Sequence, residues 1–171
     1  AKCIEAAIPT VAGAEKLTVH AISSVKDAAF TYGTVDVLDL DQVDLSKRLY
    51  KKDRKKLAET MDADALEAAY RASQFMCGEA AFQYVKKVIE LAMAGEVDAT
   101  VTNALNKDHI NMAGHHYSGH TEIYAHYTHT SKYSMMLAHE SLRVVHVSTH
   151  VSLRQACDLV KRERVLDVIR I

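Results

Sequence analysis

GEAAFQYVKKVIELAMAGEVDATVT, residues 78–102, carries the pattern from which the fold is read. Ala81, Phe82, Val85, Val88, Ile89, Ala92 and Met93 recur at three and four residues, the spacing that gathers side chains on one helix face, and Gly95 supplies a stop. Val97 to Thr102 then reads as a buried strand.

Outward from this stretch the same alternation continues. Leu17 to Ile22 and Val35 to Leu40 read as strands with a turn or short helix between them, and helices are expected at Lys107 to Ala113 and from about Gly119. Tyr133 to Ala138, with Met135 and Met136 in its core, and Leu142 to Ser148 supply further strands. Helical spacing returns from Ser152 to Val160, where Cys157 reads as core. Strands alternating with helices predict an α/β fold, layered α/β/α around a largely parallel sheet. One proline and six glycines argue against a loop-rich all-β design. The 171 residues suit one α/β region, residues 1–171, with a charged helical insertion at residues 46–75 that opens on seven Lys and Arg between Lys47 and Lys56.

The 21 Lys and Arg nearly balance 22 Asp and Glu, so the basic excess of a dedicated nucleic-acid binder is missing and a small molecule or another protein is the expected partner. Cys3, Cys77 and Cys157 are scattered and odd in number, which suits reduced thiols in the cytoplasm better than a disulfide framework. No apolar run approaches the roughly 20 residues that span a bilayer, so no membrane partner is expected.

Nine of the ten histidines fall between His109 and His150. Within that region Gly114 to Thr121 follows the phosphate-loop pattern except that His120 replaces its lysine and the residues before it look helical rather than extended. A glycine loop ending in His120 and Thr121 at a helix start can still offer amides, a hydroxyl and an imidazole to an anionic ligand. Period two places His146, Ser148 and His150 on one face if the strand persists, with His150 at its carboxyl end. A neutral imidazole there can ligate Zn²⁺ or another divalent ion, or be a hydrogen-bonded structural histidine. His115 and His116 flank a turn, and His126 and His129 suit a polar helix face. Zincin, Rossmann and nucleophile-elbow motifs are absent.

Gly95 to Lys107, Ala113-Gly114, Ser118 to Glu122, Met135 to Leu137 and Ser148 to Arg154 occur in the order seen in 4-hydroxythreonine-4-phosphate dehydrogenases. The chain resembles that family from about Gly78 to its end, with an echo in Leu17 to Leu40. Its His146 to His150 wording looks closest to the sister group acting on 4-phospho-D-threonate or 4-phospho-D-erythronate. The resemblance implies an isocitrate/isopropylmalate dehydrogenase-like fold and NAD-dependent oxidation of a secondary alcohol, followed by decarboxylation of the β-keto acid. It further implies a divalent metal (Zn, Mg, Co or Mn), a phosphorylated hydroxy-acid substrate and a homodimer. By position, His120 and Thr121 match the family's substrate-binding pair and His150 the first of three metal-binding histidines. No catalytic or NAD-binding residue is assigned.

Asn103-Ala104 departs from the family's small residue and proline, and the family's amino-terminal segment and other two metal histidines have no counterpart here. The expectation is a portion of a longer enzyme. The alternatives are an inactive truncated relative or a non-catalytic histidine-rich domain that binds a metal or phosphate ligand.

Overall fold

The computed structural model describes residues 1–171. A short helix α1 (Lys2–Ala7) precedes strand β1 (Thr18–Ile22) and strand β2 (Thr34–Leu38), which pair in parallel from Thr18 against Thr34 to Ile22 against Leu38. The cross-strand partners His20 and Asp36 meet at 2.7 Å (Nδ1 to Oδ1). Asp36 also accepts the Ala29 and Phe30 amides. The Ala29 amide above all, then His20 and the Phe30 amide, hold the Asp36 carboxyl below its ordinary range.

Residues 46–75 do not form a separate helix. They hold single-turn segments, α2 (Arg54–Leu57) among them, and then enter α3 (Ala63–Met93), which runs for 31 residues. The Asp62 carboxylate caps α3 by accepting the Asp64 and Ala65 amides. At the other end Gly95 adopts φ +72° while its amide reaches Ala92 and that of Glu96 reaches Leu91. This pairing closes a helix through a left-handed residue, as the glycine led one to expect. The periodic stretch expected from Gly78 is therefore the second half of a longer helix, and Gly78 lies inside it.

Gly78 has a packing reason for being there. A Cβ built on it would lie 2.0 Å from the His109 carbonyl oxygen, so only glycine lets α3 touch the backbone of α4 (Lys107–Met112). Phe82, Val85 and Ile89 of α3, Ile110 of α4 and Ile123 of α5 (His120–Tyr127) form the buried cluster, with both isoleucines of the short helices at 0 % exposure. Burying a side chain of this size contributes about 1.5–3 kcal/mol. Three helices thus meet at one apolar point and fix where α5 begins.

The rest departs from the expected layered sheet. Residues 97–102 form no strand and Val101 is 95 % exposed, because a strand needs a neighbour to take up its backbone hydrogen bonds and none pairs here. β3 (Met136–His139) and β4 (Leu142–Val145) pair antiparallel across Glu140-Ser141, since so short a connection permits a hairpin but not a parallel crossover. Two separate two-stranded sheets result, one parallel and one antiparallel. Met136 is exposed rather than core, and Cys157 is also exposed, on α6 (Leu153–Leu159). A last helix, α7 (Arg162–Arg170), follows in a stretch for which no element was expected, although Val165, Leu166, Val168 and Ile169 stand at helical spacing. No helix is long and apolar enough to cross a membrane.

Candidate functional site

The two glycines of the Gly114 to Thr121 loop mark helix boundaries. Gly114, at φ +91°, ends α4 with its amide on Asn111 and the His115 amide on Ile110. Gly119 precedes α5 and offers no side chain to cap it. The first amides of α5 thus have no partner within the helix and no capping side chain, a setting suited to an anion. His120 and Thr121 open this turn, both half-buried.

The same turn separates two cavities. Thr121 and Glu122 line one of about 330 Å³ together with His146, Ser148, Thr149, His150 and Arg164. His120 lines the other, about 250 Å³, with Thr102, Asn103 and the α3 side chains Ala81, Tyr84, Val85 and Val88. Thr121 and His150, 29 positions apart in sequence, therefore share a cavity, and His120 faces its neighbour.

The wall around His150 is built by the hairpin. β4 stops at Val145, so the expected extended face through His146, Ser148 and His150 does not persist; His150 itself turns to φ +58°, in the left-handed region. A non-glycine residue there costs about 1–2 kcal/mol, and strain of this kind clusters at functional sites. The capping box of Ser152 and Gln155 starts α6 immediately afterwards. His146 is anchored twice to Met135, through its backbone amide at 3.0 Å and its ring Nδ1 at 3.1 Å. Arg164 of α7 donates to the carbonyls of Val147 and Tyr133 at 2.9 and 3.2 Å and so ties both ends of the hairpin to the last helix. Its place in the run Lys161 to Arg164 gave no hint of this. Glu122 contributes a buried carboxylate oxygen, Oε2, that has no hydrogen-bond partner.

The remaining histidines separate by environment. His115 stacks on Phe82 with ring centroids 3.5 Å apart and donates through Nε2 to Glu79 Oε2 at 2.7 Å. Gln83, then His115, hold the Glu79 carboxyl below its ordinary range. This is a structural histidine, and the sequence showed only that it borders a turn. His116, His126, His129 and His139 are exposed.

For a divalent ion the donor set is incomplete. No three His, Cys, Asp or Glu side chains converge anywhere in the chain, so His150 is at most one ligand and the residues present do not build a closed metal centre. Nor does a glycine-rich turn between strand and helix provide a dinucleotide cradle, since α4 rather than a strand precedes the loop.

Comparison with known proteins places these features. A Clostridium botulinum protein named "Putative D-threonate 4-phosphate dehydrogenase" is 37 % identical over 153 residues, 90 % of this chain and 40 % of that protein. A solved 4-hydroxythreonine-4-phosphate dehydrogenase from Burkholderia phymatum superposes with a TM-score of 0.75 at 31 % identity, covering 99 % of this chain and 44 % of that one. The corresponding Klebsiella pneumoniae enzyme gives 0.68 at 31 % identity, over 91 % and 42 %. The chain spans about two fifths of the length of the curated relatives it matches. Residues 5–171 match the family described as pyridoxal phosphate biosynthetic protein PdxA, and the chain belongs to that family.

Proposed function

We propose that this chain forms part of an NAD-dependent, divalent-metal-assisted dehydrogenase that oxidises and decarboxylates a 4-phosphorylated four-carbon hydroxy acid. The substrate is 4-phospho-D-threonate or 4-phosphohydroxythreonine. The observation that carries this reading is the meeting of Thr121 and His150 in one cavity beside the uncapped start of α5. In this reading the α5 amides and the Thr121 hydroxyl hold the substrate's anionic groups, and His120 contacts it from the adjoining cavity. His150 lends one imidazole to a metal centre whose other donors lie outside the residues of this chain.

The parallel pair β1–β2 supports the layered isocitrate/isopropylmalate dehydrogenase-like setting, because parallel sheets are normally covered on both faces. We place residues 1–171 in one α/β region of that setting, with residues 46–75 as its charged insertion, in a cytoplasmic homodimer. The alternative of a non-catalytic histidine-rich domain that binds a metal or phosphate ligand loses support from His115, which is committed to Phe82 and Glu79.

The complete enzyme of which this chain forms part, supplied with NAD, a divalent ion and each phosphorylated acid, should generate NADH with at least one of them, followed by its absorbance. Failure with both, with or without chelator, would contradict the reading.

A further inference from the structure

We propose that His146 is a substrate-contacting residue, its Nε2 accepting a hydrogen bond from the C2 substituent of the phosphorylated hydroxy acid. The proposal rests on the functional reading above and names a contact that the reading leaves open. A carbonyl oxygen can only accept, so the 3.1 Å contact between His146 Nδ1 and the Met135 carbonyl requires the proton on Nδ1. In the neutral ring that leaves Nε2 with a free lone pair. The backbone that carries the ring is held as well, because the His146 amide also binds the Met135 carbonyl and Ser134 Oγ donates to the His146 carbonyl.

His146 lines the cavity that Thr121 and His150 share. Arg164, the one Lys or Arg lining this cavity, directs its Nε and Nη2 to the carbonyls of Val147 and Tyr133. His146 therefore offers an acceptor that no side chain of the cavity satisfies, and a fitting ligand brings a donor. In a hydroxy acid whose C3 alcohol is oxidised, the C2 hydroxyl is the donor that remains throughout; an ammonium at C2 would serve equally. Phosphate and carboxylate, which only accept, do not match this nitrogen.

The test is a cycle of two ligands and two proteins, read by calorimetry. His146→Asn keeps an amide donor for the Met135 carbonyl but has no group at the Nε2 position. The wild-type protein should bind 4-phospho-D-threonate roughly 5-fold to 100-fold more tightly than its 2-deoxy analogue, the range expected when a buried acceptor loses its donor. His146→Asn should bind the two alike. Discrimination by His146→Asn equal to that of the wild type would overturn the assignment while leaving the functional reading intact; no binding of either compound by the wild type would overturn both. Nitrogen NMR of the ligand-free protein gives a readout independent of activity. The Nδ1–H tautomer is expected at His146, and an Nε2–H tautomer would reject the proposal.

Discussion

Side chains of one type take different roles here according to what surrounds them. His115 is held by Phe82 on its face and Glu79 at its edge, His146 by a main-chain carbonyl, and His150 by a left-handed backbone at a cavity wall. The Glu79 pair makes a pH prediction. Its folded carboxyl is held below its ordinary value by Gln83 and then His115, so the stability it contributes is fully present above the unfolded value of about 4.3. That contribution disappears as pH falls through the lower folded value. Melting temperatures of wild type and Glu79→Gln should therefore differ most above about pH 5 and converge in acid; a gap that does not change with pH would refute the pairing. Sequence alone pointed to His120, Thr121 and His150 through their neighbours Gly119 and Thr149. It grouped His146 with His150 but missed the roles of His115 and Arg164 because their partners lie far along the chain: Glu79 is 36 positions from His115, and Tyr133 is 31 from Arg164.

Elements whose signals are local were legible. Gly95 ends α3, helices form near residues 107 and 120, and β1 and β2 lie where alternation placed them. Pairing was not legible, since an apolar run such as Val97 to Thr102 becomes a strand only when another edge accepts its hydrogen bonds. Nor could the length of α3 be read, because Gly78 resembles a helix start in one dimension and is a close-approach point in three. Alanine in a helix interior ordinarily stabilises by about 1 kcal/mol over glycine. At residue 78 the sign should reverse. A methyl group 2.0 Å from the His109 carbonyl forces α4 away from α3, and Gly78→Ala is expected to destabilise by about 1–3 kcal/mol through overpacking. A denaturant midpoint at or above that of the wild type would show that the helices can separate freely. Movement of α4 would also disturb His115, whose amide hangs from Ile110.

At the scale of the whole molecule, a small core supports a polar site. Only 12 of 171 residues are buried, and the five-residue cluster among them is what places the α5 turn beside the hairpin. Large apolar side chains stand open elsewhere, among them Phe30 at 83 % and Leu153 at 83 % exposure. The layered sheet expected from the pattern is present here as two small pairs. The account turns on His150 serving as a metal ligand in the cavity of Thr121. His150→Gly isolates that role, since glycine relaxes a φ of +58° and removes only the imidazole. The deciding measurement is NADH formation from the phosphorylated acid by the complete enzyme containing this chain, wild type and His150→Gly, across a titration of divalent ion. The account predicts metal-dependent turnover by the wild type and none by a variant that melts no lower; an unchanged metal response in His150→Gly would contradict it.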